Sequence, residues 1–250
     1  MRLVLVNITA FLILKLVWLI SPSALTVEEI IGSLALPAGT QAALAMPWTM
    51  LTYSFIHVDF WHLLVNCLWL AWFGALLAEI AGRRWLLAAF VSGGIGGAIC
   101  FQLFTDAFNP GSEASLLGSS AAVFSVITAT LVCAPRKKVT LALIGAFSLR
   151  SIAAVGMILF FLASLEMEPS QTAAHIGGIV AGAAGAFVWR RRARKSMEAM
   201  KSMARNRLEQ MSLIEKVNRD GYASLTRSEQ LRLFNLSSGN APVRRNTPSR

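Results

Sequence analysis

Long apolar stretches alternate with short polar segments along most of this chain. A helix of ~20 apolar residues crosses a hydrocarbon core of about 30 Å. Stretches of that kind fall at residues 3–20, 60–80, 84–104, 117–134, 151–165 and 172–189. The pattern predicts six membrane-spanning helices, hence an all-α polytopic membrane protein. The fifth stretch is short, and the apolar run 139–147 before it predicts an interfacial piece.

The segment between the first two spans, residues 21–56, is too long and too mixed for a simple connection. Pro22 and Pro37 interrupt it, and apolar patches fall at 30–36 and 42–46. This composition predicts an outer loop with short helices that lie in the membrane interface.

The last quarter of the chain has a different pattern. A basic, helix-favouring segment leads to Gly221, and a short amphipathic piece follows at 225–236. Ser, Gly, Asn, Pro and Arg dominate thereafter, a composition typical of disorder. We therefore predict a membrane domain at 1–189, a partly helical tail at 190–236 and a disordered C-terminus at 237–250.

Composition and charge sharpen this division. The chain is 55% hydrophobic and 14% charged, with a net charge of +10. Residues 1–189 hold 8 basic and 8 acidic side chains, whereas 190–250 hold 15 and 5. Short cytoplasmic loops are enriched in Lys and Arg, and basic clusters follow the second, fourth and sixth stretches. Both termini are therefore predicted to be cytoplasmic, with spans two, four and six starting outside.

The same charge pattern suggests partners for the tail. Its basic residues are expected to meet anionic lipid headgroups, whereas nucleic acid is not expected because interleaved aromatic residues are missing. Lys15, within the first span, is expected to snorkel to the interface, although a partner inside the bundle is the alternative. Cys67, Cys100 and Cys133 have no metal-ligand or redox spacing, so no metal or cofactor is predicted.

Candidate chemistry lies near the outer starts of three predicted spans. His62, Ser120 and His175 each come a few residues after such a start, which places them at similar depth. His62 and Asn66 are four residues apart and share a helix face. A serine needs a neighbouring base to act as a nucleophile, and His175 is the available one. His62 and Asn66 could then donate to a developing oxyanion.

Small residues indicate that two of these spans pack closely. Gly178 and Gly182 follow His175 on its own face and form a small-xxx-small pattern. Taken singly, such glycines are more often ordinary packing residues, and a Gly-x-Ser is weak evidence. One intramembrane histidine is equally consistent with packing and with a proton path. Three motifs with matching depth, direction and complementary roles favour a site.

These motifs resemble those of rhomboid intramembrane serine proteases of the bacterial type, over about residues 1–190. Gly118-Ser119-Ser120-Ala121 is similar to the family's nucleophile motif, and Ala174-His175-Ile176-Gly177-Gly178 through Gly182 to its histidine motif. The His-x-x-x-Asn motif is matched by His62 to Asn66. The resemblance implies a six-helix rhomboid-like bundle in a bacterial cell (inner) membrane.

The resemblance also implies roles. Ser120 would be the nucleophile and His175 the general base of a Ser/His dyad, while His62, Asn66 and the Ser120 backbone N–H would form the oxyanion hole. Phe124 would pack against the catalytic imidazole, and His57 would organise the first loop. The substrates would be transmembrane segments of other proteins.

Two departures and two rival functions remain. The family often has Gly where this chain has Ala121, and Arg where it has Thr49; a missing arginine would loosen the first loop.

One rival is a catalytically inert rhomboid-like protein that binds membrane segments. The other is a small transporter or proton conductor, which predicts an inverted repeat that the sequence does not show.

Overall fold

The apolar stretches fold as helices in a computed structural model that describes residues 2–20, 24–141, 145–163 and 168–238. The helices are α1 (Arg2–Ile20), α2 (Ala24–Leu34), α3 (Thr40–Ala45), α4 (Thr49–Thr52), α5 (Phe60–Ala81), α6 (Arg83–Phe108), α7 (Ser120–Cys133), α8 (Leu149–Ala163), α9 (Pro169–Asp220) and α10 (Arg227–Ser237). The strands are β1 (Leu36–Pro37), β2 (Ser115–Leu116), β3 (Lys138–Leu141) and β4 (Gly145–Ser148). The chain divides into two compact units, 1–189 and 190–250.

Helices occupy all six predicted span regions, but they differ in length. Helices α1, α5, α6 and α9 are long and apolar enough to cross a membrane. Helix α7 has only 14 residues, or about 21 Å, and ten of them are buried. Such all-round burial is typical of a central helix shielded from lipid by its neighbours. The fold is thus a helical polytopic bundle, while the count of six spans stays a prediction.

The core lies around α7. Phe73 from α5, Phe90 from α6 and Val126 from α7 are fully buried in one apolar cluster. Glycines on α6 face this centre, and a Cβ on Gly93 would clash with the Ser125 side chain. Close helix contacts through small residues are the usual mode of packing within membranes. They bring α6 directly against α7.

The outer loop is folded and attached to α6. The predicted short helices are present as α2, α3 and α4, followed by a 3₁₀ turn at Tyr53–Phe55. Strands β1 and β2 pair antiparallel, and Gln102 Nε2 donates to the Pro37 carbonyl oxygen at 2.7 Å. The Thr40 N–H donates to an Asp106 carboxylate oxygen at 3.1 Å. These bonds fasten the loop to the C-terminal end of α6.

The apolar run before the fifth helix is a β-hairpin. Strands β3 and β4 pair antiparallel from Lys138 with Ser148 to Leu141 with Gly145, and residues 142–144 between them lie outside the described residues. Helix α8 starts directly after β4. The predicted interfacial piece is therefore extended rather than helical.

The second unit is a helical hairpin. The C-terminal part of α9 ends before Gly221, whose φ of 80° reverses the chain, and Thr226 caps α10 in a capping box with Glu229. Lys216 pairs with Glu229 at 2.9 Å. Of the C-terminus predicted to be disordered, Ser237 ends α10 and Ser238 is its C-cap, and 239–250 lie outside the described residues.

Candidate active site

The first turn of α7 carries Ser120 and begins on a glycine turn. Gly118 has φ of 96°, and its N–H donates to the Tyr53 carbonyl oxygen at 3.0 Å. A Cβ on Gly118 would lie against the His62 imidazole, 3.0 Å from Nε2. Glycine is required at position 118 for two reasons, the backbone conformation and the close approach of the imidazole ring.

Ser120 and His175 meet although they are far apart in sequence. Ser120 Oγ lies 2.9 Å from His175 Nε2, and the two residues are 5% and 8% exposed. The Phe124 ring stands 5.2 Å from the imidazole at 55°, one turn after the serine. The distance is that of a hydrogen bond, so the geometry suits proton transfer from serine to histidine.

Two glycines bring α9 onto α7. A Cβ on Gly178 would collide with the Ala121 carbonyl oxygen, and one on Gly182 with the Ser125 carbonyl oxygen. The helices therefore touch backbone to backbone over the turns that carry the dyad. This contact is the close approach that the small-xxx-small pattern predicted.

The first two turns of α5 carry His62 and Asn66. Asp59 caps this helix, because its carboxylate accepts from the His62 N–H at 2.7 Å. Asn66 Nδ2 donates to the His62 carbonyl oxygen at 3.0 Å and lies 3.4 Å from His57 Nε2. The amide would therefore have to exchange one of these bonds for a substrate oxygen. The oxyanion role of Asn66 stays a prediction.

His57 is more closely tied to α7 than the sequence suggested. Its Nε2 accepts from the Ser119 N–H at 3.3 Å and lies 3.3 Å from Ser119 Oγ. Burial and the nearby His62 lower its pKa to about 4, so the ring is neutral at neutral pH. A neutral ring with an accepting Nε2 carries its proton on Nδ1. His57 thus holds Ser119, the residue that precedes Ser120.

Lys15 also contacts the segment that carries His57. Its Nζ donates to the Val58 carbonyl oxygen at 3.1 Å, and it stands 5.2 Å from the Phe11 ring centroid. Lys15 is exposed, so Val58 gives it a partner at the surface of the bundle, while its snorkelling to the interface stays a prediction. The bond attaches the loop between the 3₁₀ turn and α5 to the first helix.

The two departures from the family pattern have visible surroundings. Thr49 is fully buried, and its Oγ1 donates to the Met46 carbonyl oxygen at 2.6 Å. Trp48 Nε1 donates to the Ser33 carbonyl oxygen at 2.8 Å. Ala121 is accommodated because Gly97 of α6 faces its methyl group. Local hydrogen bonds order the loop around Thr49, and the alanine fills space left by a glycine.

A narrow recess adjoins the dyad on the side of α8. Its volume is about 10 Å³, and its walls include Asn66, Trp69, Phe124 and Gly156. A Cβ on Gly156 would collide with the Trp69 ring. A cavity of this size holds no more than one water molecule, so little free space separates α7 from α8 here.

Sequence reasoning missed the glycines of α6. A Cβ added to Gly94 would lie 2.8 Å from Ser54 Oγ, and one added to Gly97 would lie 2.9 Å from the Tyr53 hydroxyl oxygen. The Tyr53 hydroxyl donates to the Gly94 carbonyl oxygen at 2.7 Å. The signal was present in Gly93-Gly94-Ile95-Gly96-Gly97, a run of small residues on one span.

Comparison with known proteins agrees with this architecture. Residues 44–192, more than half of the chain, match the model of the Rhomboid domain family. "Rhomboid-like protein 16, chloroplastic" from Arabidopsis thaliana is 38% identical over 53 residues, which are 21% of this chain and 16% of that protein. The chain thus spans only a small part of that relative. The chain is an integral multi-pass membrane protein that belongs to the rhomboid family.

Proposed function

We propose that this protein is an intramembrane serine endopeptidase that cleaves transmembrane segments of other membrane proteins. The observation that carries the proposal is the buried hydrogen-bond distance of 2.9 Å between Ser120 Oγ and His175 Nε2. By its resemblance to bacterial rhomboids, we place it in the cell membrane of a bacterium.

The mechanism follows from the positions of the groups. His175 Nε2 takes the Ser120 proton while Oγ attacks the scissile carbonyl carbon, and the carbonyl oxygen becomes an oxyanion. Ser120 is the first residue of α7, and Ser119 makes no side-chain cap, so first-turn N–H groups have no partner within the helix. The Ser120 N–H, with His62 beside Gly118, would stabilise that oxyanion.

In the steps that follow, His175 gives up the proton that it took from Ser120. Protonated His175 donates to the leaving amine, which gives an acyl-enzyme on Ser120 and frees one peptide product. Water, deprotonated by His175, then hydrolyses the ester and restores the serine. Asp59 caps α5 rather than serving as a third member, which is consistent with a dyad.

Substrate and water must reach a site that is nearly closed. Ser120 and His175 are both less than a tenth exposed, and the recess beside them is almost filled. The loop between α1 and α5 contacts Gly118 through the Tyr53 carbonyl oxygen, and α8 forms a wall of the recess through Gly156. We propose that movement of one or both admits the membrane segment.

The decisive experiment compares Ser120→Ala with wild type on a model transmembrane substrate. Loss of the nucleophile should lower the cleavage rate by about 10⁴-fold or more. Ser119→Ala is the matched control, because its hydroxyl lies beside His57 rather than His175. Equal cleavage by wild type and Ser120→Ala would overturn the proposal.

A serine-directed fluorophosphonate separates the enzyme from its nearest rival. Wild type should be labelled, and Ser120→Ala should not. A wild-type protein that binds membrane segments but is neither labelled nor active would be the inert rhomboid-like protein instead.

The tail has a separate proposed partner, the anionic headgroups of the membrane surface. Its excess of basic residues supports this, as do exposed apolar side chains such as Met200 and Met211, since a basic amphipathic helix favours an anionic interface. A fluorophore on Met200→Cys in the full chain should shift to the blue in vesicles with phosphatidylglycerol. An identical spectrum in pure phosphatidylcholine would contradict the proposal.

A further inference from the structure

The end of the bundle opposite the dyad holds a cavity of about 220 Å³. Helices α5, α6, α7 and α9 all contribute to its walls, mainly through small and aromatic side chains. The wall residues that matter most are Ala81, Trp85, Ala88, Ala129, Gly185 and Trp189. An apolar cavity of roughly 150 Å³ suffices for a benzene-sized ligand, so this space admits a segment of hydrocarbon chain.

The cavity lies beyond the closest contact between α9 and α7. Gly178 and Gly182 press α9 onto the backbone of α7, whereas a Cβ on Gly185 would meet nothing within 4 Å. Ala88 and Val188 on the two flanking helices are exposed. The opening therefore faces the outside of the bundle, where the surrounding medium is lipid.

The rim of the cavity has the composition of a membrane interface. Trp85 and Trp189 line it, and tryptophan is enriched where hydrocarbon meets headgroups. Arg83 and Arg84 are exposed and directly precede Trp85 at the start of α6. Lys137 at the same end is paired with Glu79 at 3.0 Å, whereas neither arginine forms an ion pair within the part of the chain that the structure describes.

We propose that this cavity binds one acyl chain of an anionic phospholipid, whose headgroup lies beside Arg83 and Arg84. The apolar walls by themselves would accept an acyl chain of any bulk lipid. The two uncompensated arginines next to the rim add a preference for negative charge, because basic side chains near a membrane surface attract anionic lipids. The site is distinct from the dyad and does not depend on the proposed proteolysis.

The test uses the full-length protein in vesicles that contain a phospholipid with a photoactivatable diazirine midway along one acyl chain. The probe carries either a phosphatidylglycerol or a phosphatidylcholine headgroup, and cross-linked peptides are located by mass spectrometry. Peptides that contain Ala88 and Gly185 should be labelled more strongly by the phosphatidylglycerol probe.

Filling the cavity should remove this labelling. Gly185→Leu places a side chain in the space, and Ala88→Leu does so from α6, so that one variant suffices if the other folds poorly. The matched control is Ala184→Leu, on the exposed face of α9 outside the cavity. Labelling in folded Gly185→Leu and Ala88→Leu equal to wild type would overturn the proposal.

Neutralising the rim tests the headgroup. The double variant Arg83→Gln/Arg84→Gln should lower labelling by the phosphatidylglycerol probe roughly 30-fold, since two basic residues near the surface together contribute ~2 kcal/mol and about 1.4 kcal/mol is tenfold. Labelling by the phosphatidylcholine probe should change little, and Arg150→Gln on α8 should leave both unchanged. Equal labelling of wild type by both probes would overturn the assignment to an anionic lipid.

Discussion

Helix α7 has two unlike neighbours on either side of the dyad. Helix α9 touches it backbone to backbone, because Gly178 and Gly182 leave no side chain between them. Helix α8 faces it across a recess, and its Gly156 rests on the Trp69 indole of α5. One contact is made of rigid main chain, and the other of side chains around a small gap.

The difference distinguishes the helix contact that must stay fixed from the one that must open. A hydrogen bond between Ser120 and His175 requires the two helices to keep their spacing to within tenths of an ångström, and packed backbones resist displacement. A membrane segment can reach the dyad only if some neighbour yields. Side chains around a gap can repack into a second arrangement more readily than two apposed backbones. The contrast makes α8 the element expected to yield.

The strongest test of the rigid contact is Gly178→Ala. The added methyl group would collide with the Ala121 carbonyl oxygen and force α9 away from α7. Overpacking of this kind costs about 1–3 kcal/mol, and a misplacement of ~1 Å at a reacting group lowers the rate about 10²-fold. Cleavage of a model transmembrane substrate and thermal unfolding measure the two effects.

Gly185→Ala is the control for that prediction, since a Cβ there meets nothing within 4 Å. It makes the same chemical change on the same helix and should leave rate and stability nearly unchanged. If Gly178→Ala also kept the wild-type rate, the rigid contact would not be what sets the dyad geometry.

Much of this arrangement could be predicted because the constraints are strong and local. A hydrocarbon core demands long apolar helices, so the helical regions could be located from composition. His62 and Asn66 share a face by spacing alone, and the glycines after His175 indicate close packing. Depth could be compared across spans because three of them were predicted to start on the same side. These are statements about single helices and their directions.

The pairings between distant side chains could not be obtained in this way. Nothing in the residues near His57 indicates that its ring accepts from the Ser119 N–H, 62 positions away. The shortness of α7 was hidden because Leu117 extends its apolar run while Gly118 breaks the helix. The recess beside α8 depends on how three helices diverge. A linear pattern does not encode such distances.

A smaller effect is expected at the third attachment of α7, its N-terminus. His57→Ala would remove the acceptor for the buried Ser119 N–H, and an unsatisfied buried donor costs about 1–3 kcal/mol. Because Ser119 directly precedes the proposed nucleophile, kcat should fall more than KM rises. This result would show that the His57 contact, like the contact between α9 and α7, is a rigid one.

His57→Gln is the conservative partner of that variant. Its side-chain carbonyl oxygen can accept a hydrogen bond, so it should recover part of the kcat and stability that alanine loses. A stability loss with unchanged kcat in His57→Ala would instead show that the loop holds the fold and not the nucleophile.

The smallest effect is expected at the adjustable contact, from Gly156→Ala. The new methyl group meets the Trp69 ring, but α8 or the indole can shift, so the stability loss should stay near 1 kcal/mol, at the low end for overpacking. Trp69→Phe withdraws the ring atoms that the methyl group meets. In a double-mutant cycle, the combined variant should therefore be more stable than the sum of the single losses predicts, because contacting residues couple. Additive losses of stability would show that the new methyl group and the Trp69 ring do not share this gap. A stability loss from Gly156→Ala as large as that from Gly178→Ala would mean that α8 is held as rigidly as α9.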